Sequence, residues 1–242
     1  MTRNELNVPM CAVSVDCLIF TIDEQNKKLK ILLLNRDHEP EQGKWALPGS
    51  FISSHDTLEE VVLSIVNNVM DSSIHYMEQL YTFGDNLTRD PRMRVVSTAY
   101  LSLYPQYDAK IKENKNLSWF TVSKCTKDTL ILTNDIETII YENGYVKSQA
   151  SIGFDHNEMI IRGVERLRSK ITYSPLGFYF LGNKFTLNQI QMVHETILDR
   201  KLHKSNFRKS ISRYVDGLNE TIRIGNIRSA QVFMLKKEYK GD

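Results

Sequence analysis

The stretch Ala46-Leu47-Pro48-Gly49-Ser50-Phe51-Ile52, followed after four polar residues by Thr57-Leu58-Glu59-Glu60, decides how the first half of the chain is read. Thr57 and Glu60 stand at capping-box spacing: the hydroxyl accepts from an early backbone N–H and the glutamate reaches back to the cap. Leu58, Val61, Val62, Ile65, Val66 and Val69 then recur at helical spacing. They predict one helix whose apolar stripe packs on a sheet. Strand signals surround it. Residues 12–20 are a β-rich run, 23–28 a polar turn, and 29–34 a mostly apolar return strand. Residues 94–103 form another strand, stopped by Pro105, and 117–122 a shorter one. Residues 129–133 and 137–141 read as a hairpin, taken as a surface insertion with no catalytic residue.

The second half is patterned differently. Asp155-His156-Asn157-Glu158 predicts the cap of a helix reaching about Lys170, with Ile160, Gly163, Val164, Leu167 and Ile171 on one face and Arg162, Arg166 and Arg168 on the other. Pro175 and Gly177 break it. Thr186-Leu187-Asn188-Gln189 is a second capping box, opening a helix to about Leu198. A polar turn over 199–204 leads to Ser205 as the expected cap of a third helix. Two β-runs follow, 221–224 and 231–235, around Gly225-Asn226. Helix, turn, helix and β-hairpin is the order of a winged helix-turn-helix.

That third helix carries the sharpest local pattern. Phe207, Ile211, Tyr214 and Val215 share one face at i, i+4, i+7 and i+8. At about 100° per residue, Lys209 and Arg213 fall opposite them, flanked by Ser205, Asn206 and Ser212, with Arg208 on the border. An apolar seat under a basic, amide-bearing outer face suits a recognition helix: Lys and Arg serve phosphates and guanine, Asn serves adenine. The candidate DNA contacts are Lys204, Ser205, Asn206, Arg208, Lys209 and Arg213, with Arg228 on the wing.

Bulk composition agrees with two parts. The 242 residues carry 31 Lys+Arg against 29 Asp+Glu, a formal +2. Residues 1–154 hold 15 basic and 20 acidic side chains, whereas 155–242 hold 16 and 9, so a −5 half precedes a +7 half. The basic tail suits a polyanion such as nucleic acid. At 41% hydrophobic and 25% charged the chain can build a core and is not disordered. No apolar run approaches the roughly 18 residues that span a bilayer, and the N-terminus has no secretory pattern. Cys11, Cys17 and Cys125 cannot all pair and are expected to be small core residues in a reducing cytosol. The six histidines are scattered, so neither they nor the cysteines predict a metal site.

Residues 46–52 with 57–60, together with Leu32-Leu33-Leu34-Asn35-Arg36 and Gly43-Lys44-Trp45, resemble the start of a Nudix box, G-x5-E-x7-R-E-U-x-E-E-x-G-U with U aliphatic. In Nudix hydrolases the glutamates hold magnesium against a pyrophosphate. Threading puts the glycine at Ser50, the first acid at Asp56, R-E at Ser64-Ile65, the aliphatic at Val66, E-E at Asn68-Val69 and the closing glycine at Asp71. The metal-binding acids of the helix are gone; only Glu59 and Glu60 remain nearby. Ligand binding is still open to what remains. Arg89-Asp90-Pro91-Arg92-Met93-Arg94 resembles the arginine-bearing stretch before a strand in Nudix proteins that handle ADP-ribose, and such arginines can fork onto phosphates or sugar hydroxyls. Arg89, Asp90, Arg92 and Arg94 are therefore candidate ligand contacts, with Arg36, Trp45 and Phe51 beside them; a solvated loop is the plain alternative, and Trp45 and Phe51 could equally be core.

The stretches Phe154-Asp155-His156, Ser174-Pro175-Leu176-Gly177-Phe178, Phe185-Thr186-Leu187 and Asn206-Phe207-Arg208-Lys209 resemble the tail of the Nudix-related transcriptional regulators. The resemblance implies an α+β protein: an α-β-α sandwich, the Nudix-like sensing domain, over 1–153, a connector helix over 154–172 and a winged helix-turn-helix over 173–242. It implies a cytoplasmic homodimer that is no enzyme and needs no cofactor, a repressor of a double-stranded DNA operator, responding to an ADP-ribose-like metabolite or a sugar. The stretch 126–151 looks long for the family. The alternative reading is a pyrophosphohydrolase with displaced acids at Asp56, Glu59 or Glu60.

Overall fold

The computed structural model describes residues 10–224 and 228–239. Its centre is a hairpin of β1 (Ala12–Asp23) and β2 (Lys28–Asn35), antiparallel with Phe20 opposite Ile31. On its other side β1 runs parallel to β6 (Val95–Leu103), from Ala12 opposite Val95 to Phe20 opposite Leu103. β5 (Tyr76–Phe83) lies beyond β6 at one edge. Beyond β2 come β7 (Leu117–Cys125), β8 (Thr129–Thr133), β9 (Thr138–Glu142) and β10 (Tyr145–Val146), all antiparallel. Two short strands, β3 (Trp45–Ala46) on β2 and β4 (Gly49–Phe51) on β1, branch from the sheet.

A sheet covered on both faces needs apolar residues on both sides of each central strand. β1 supplies them. Val15, Cys17 and Ile19 pack beneath α1 (Leu58–Val69), while Leu18, Phe20 and Ile22 face α2 (His156–Lys170). The result is a three-layer α-β-α sandwich. α1 is the helix its capping box predicts: Thr57 Oγ1 accepts from Glu60 N, Glu60 Oε2 accepts from Thr57 N, and Val61, Val62, Ile65, Val66 and Val69 are buried. α2 approaches the sheet closely at Gly163, where a Cβ would press into Leu18 and lie 3.5 Å from the Phe20 ring.

Three expectations are corrected. The 129–141 hairpin is not a surface insertion: β8 and β9 continue the main sheet, and Leu130, Leu132 and Ile139 are wholly buried in the core beneath α2. Cys11 is exposed, unlike the buried Cys17 and Cys125, because it precedes the packed part of β1. Asp155 stands at the N-cap of α2 without capping it, since its carboxylate is taken by Arg89. β5 went unread in the sequence. It is an edge strand with only Leu80 and Phe83 buried, and an irregularity between Gln79 and Tyr81 breaks its alternation.

The tail folds as α3 (Leu187–Leu198), α4 (Lys204–Ile211), a 3-10 turn over Ser212–Tyr214, and the ribbon of β11 (Val215–Ile224) and β12 (Arg228–Leu235). Phe185 and Phe233 exchange backbone hydrogen bonds of 3.0 and 2.8 Å, tying the segment before α3 to the ribbon. The apolar core is continuous from the α2 face of the sheet through Ile171, Phe178 and Phe180 to Ile190, Val193, Phe207 and Ile211. Arg168 of α2 adds polar stitches, donating to the carbonyls of Cys125 at 2.5 Å and Ile197 at 3.1 Å. Among the described residues no helix is long and apolar enough to cross a membrane.

Candidate functional site: an arginine-lined cavity and a basic helix face

A cavity of about 290 Å³ opens where β1, β2, the 46–51 segment, the arginine loop and the start of α2 converge. Its wall includes five of the predicted ligand residues: Arg36, Phe51, Arg89, Asp90 and Arg92. Two stacks flank it. The Arg36 guanidinium lies 5.0 Å from the Phe154 ring centroid and that of Arg92 5.1 Å from Phe51, a geometry in which the ring faces attract the cations. Arg92 also forks onto Asp90 at 3.0 and 2.7 Å. Burial pushes the Asp90 carboxyl up, but these hydrogen bonds outweigh it and hold the group below the usual range. Arg36 donates through Nε to the Pro40 carbonyl at 2.8 Å, while its Nη2 is buried without a partner. Burial lowers the pKa of Arg36, as expected of a cation short of solvent.

Behind the wall lies a buried polar network. Arg89 donates through Nη2 and Nε to the two oxygens of Asp155 at 2.7 and 3.0 Å, and its Nη2 stands 3.8 Å from Asp16. Asp16 also accepts from Ser97 and faces His156 Nε2 at 3.5 Å. The Leu47 N–H donates to His156 Nδ1 at 3.0 Å, which leaves the ring proton on Nε2, toward Asp16. Burial lowers the pKa of His156. Gly49 closes the wall: a Cβ there would overlap the Asp16 carboxylate and sit 2.9 Å from the Val15 carbonyl oxygen. Asp16, Phe154 and His156 were missed in the sequence. Phe154 holds a left-handed φ of 57°, and the sequence flagged Phe154-Asp155-His156 only as a stretch that resembles the regulator family.

Two predicted ligand residues face elsewhere. Trp45 is a core side chain, edge-on to Phe120 with centroids 4.8 Å apart, and its indole N–H donates to Glu137 at 2.7 Å. Arg94 spends its guanidinium on the carbonyls of Gly84, Asn86 and Val95, which braces the 84–94 loop from within.

The magnesium site of the Nudix pattern does not fit these residues. Ile65 and Val69, where two of its acids would stand, are 6% and 8% exposed and packed with Ile19 and Leu32. Ser64 and Asn68 are exposed neutral side chains. Of the nearby acids, Glu60 is occupied with the Thr57 cap, and hydrogen bonds from the Thr57 backbone and hydroxyl lower its pKa.

In the tail, the predicted seat is buried as expected: Phe207, Ile211, Tyr214 and Val215. Lys204, Ser205, Asn206, Arg208, Lys209 and Arg213 are all exposed. Two details differ. α4 starts one residue before Ser205, with His203 at the cap and no side-chain cap; the Ser205 hydroxyl instead lies 3.0 Å from His203 Nδ1. Arg213 sits on the 3-10 turn, its guanidinium donating to the Tyr214 hydroxyl at 2.6 Å and lying 4.6 Å from that ring. Arg228 is the first residue of β12. The Gly225-Asn226 tip of the wing falls outside the described residues.

Fold and sites together define a Nudix-like sandwich joined to a winged helix. Residues 177–235 match the model of the NrtR DNA-binding winged helix domain. The ADPR responsive transcriptional repressor NtrR of Acinetobacter baylyi is 26% identical over 231 residues, covering 93% of this chain and 82% of that protein. NrtR of Shewanella oneidensis, solved with a 27mer DNA, superposes with a TM-score of 0.76 at 27% identity, over 94% of this chain and 95% of that one. Its isolated NUDIX domain, solved with ADP ribose, covers 68% of this chain and 93% of its own at 27% identity and a TM-score of 0.50. A MutT/nudix family protein of Enterococcus faecalis reaches a TM-score of 0.81 at 25% identity, over 95% of this chain and 88% of its own. In both its parts the chain is similar to the Nudix-related transcriptional regulators.

Proposed function

We propose that the protein is a transcriptional repressor whose Nudix-like domain senses an ADP-ribose-like metabolite and whose winged helix binds a double-stranded operator. The observation that carries this reading is the contrast within one sandwich: neutral residues, buried Ile65 and Val69 with exposed Asn68, fill the helical positions of the metal-binding acids, while the adjoining cavity keeps two arginine–aromatic stacks. A pyrophosphate-bearing ligand suits forked guanidiniums, and Arg36 brings a buried donor without a partner to the same wall. The sensing domain then binds without hydrolysing, and the chain is not an enzyme. The names of the relatives point to the same effector and the same DNA partner.

The operator-binding set is Lys204, Ser205, Asn206, Arg208 and Lys209 on α4, Arg213 just beyond it and Arg228 on the wing; the sensing set is Arg36, Phe51, Arg89, Asp90 and Arg92. The working form is a homodimer, since two recognition helices about a two-fold axis read two half-sites one helical turn apart. In this division the sensing part spans 1–153 and the winged helix 173–242, and α2 in the 154–172 segment both completes the sandwich as its second helical layer and hands the sensor's state to α3. The effector acts by favouring one arrangement of the winged helices over another.

The test is a gel-shift titration on DNA from upstream of the genes beside its own, with ADP-ribose added at rising concentration. ADP-ribose should change operator affinity in the wild type and leave it unmoved in Arg36→Ala. Magnesium-dependent turnover of ADP-ribose that Glu60→Gln abolishes would overturn the non-enzyme reading.

A further inference from the structure

A second, larger cavity of about 600 Å³ lies between the β2 and β7 side of the sheet and α3 with the α3–α4 turn. It has no part in the sensing or operator-binding sets apart from Lys204 at its rim. Six cations line it: Lys27, Lys28, Lys124, Arg200, Lys201 and Lys204, with Arg168 deeper in. Only Glu195 and Asp199 oppose them. Glu195 is already saturated, accepting from Leu202 N, Gln191 and Lys201 at 3.0 Å each. Among the described residues, Lys27, Lys28, Lys124, Arg200 and Lys204 form no salt bridge. Five unpaired cations around one cleft, in a chain whose formal charge is only +2, are a local concentration that repels itself unless an anion shares it. Leu29, Val122, Val164 and Met192 supply an apolar floor beneath that rim.

We propose that this cleft is a second effector site, for a small phosphorylated molecule with an apolar or planar part. The charge belongs at the rim and the flat part on the floor. The ligand would touch β2 and β7 on the sandwich and the α3–α4 turn on the winged helix, so it would fix the angle at which α4 meets DNA. The site stands apart from the arginine-lined cavity and does not depend on what that cavity senses.

Calorimetric titration of the full-length protein with ATP and with sodium pyrophosphate, both without magnesium, tests the proposal. Lys28→Glu/Lys124→Glu and Arg36→Ala serve as the two comparison variants. Both lysines are exposed, so the double variant keeps the fold, which its melting temperature checks. ATP should bind the wild type and Arg36→Ala alike, more tightly than pyrophosphate, and bind the double variant at least about tenfold more weakly, a change of roughly 1.4 kcal/mol. No saturable binding overturns the proposal. So does binding lost in Arg36→Ala but kept in the double variant, which would place ATP in the sensing cavity. Equal affinity for ATP and pyrophosphate overturns the apolar floor. Operator affinity lost in the double variant without a change in ATP affinity assigns the lysines to DNA and overturns the second site.

Discussion

The chain has two cation-rich regions of opposite fate. In the 89–94 loop, Arg89 is buried against Asp155, Arg92 is forked onto Asp90, and Arg94 is spent on backbone carbonyls. Around α4, Lys204, Arg208 and Lys209 stand in solvent with no salt bridge among the described residues. Density of positive charge is therefore no guide to whether a cation holds the protein together or is left for a partner. Burial and nearby carboxylates decide it, because a buried charge must be paired within the fold whereas an exposed one costs little to leave unpaired.

The largest effect that would break this contrast is at Arg89. Arg89→Ala leaves Asp155 and Asp16 buried without their cation and should cost about 3–5 kcal/mol of stability, read by urea denaturation; an unchanged midpoint would mean the pair is not structural. His194 comes next. It is buried against Phe207 between α3 and α4, its Nε2 lacks a partner, and burial lowers its pKa to about 4. The unfolded chain takes up the proton near 6.5 and the folded one does not until about 4. Stability should therefore fall by up to about 3 kcal/mol as pH drops through that window, and His194→Gln should remove this portion of the slope.

Smaller effects sharpen the exposed side of the comparison. Lys209→Ala should leave stability within about 0.5 kcal/mol yet weaken operator binding about tenfold, with the salt slope reduced by about 0.9 if the lysine meets a phosphate. Arg213→Ala should weaken DNA binding and also cost some stability, because Arg213 already touches Tyr214; equal melting temperatures for the two variants would deny that second role. The smallest change is Thr57→Ala. It removes one capping interaction, worth about 1 kcal/mol, and should leave both effector and operator affinity as they were.

Legibility followed how local each feature is. Both capping boxes, the stripe of α1 and the seat of α4 were readable because they depend on spacing within a few turns. The loss of the metal-binding acids was readable position by position. The role of 129–141 was not, since an apolar hairpin looks the same at a surface or as the continuation of a sheet. Trp45 and Arg94 were placed at the ligand by resemblance, and only their partners, Glu137 and three carbonyls, put them elsewhere.

By itself, then, the sequence determined the two-part order, the class of each part and the outward basic face of α4, because periodicity and capping are properties of neighbouring residues. Tertiary structure alone decided which cations are spent and which are free. It brought Asp16, Arg89, Asp155 and His156 together across as many as 140 positions of chain, and it opened the cleft between β7 and α3. Pairing and cavities arise from segments distant in sequence, and no local pattern encodes the distance between them.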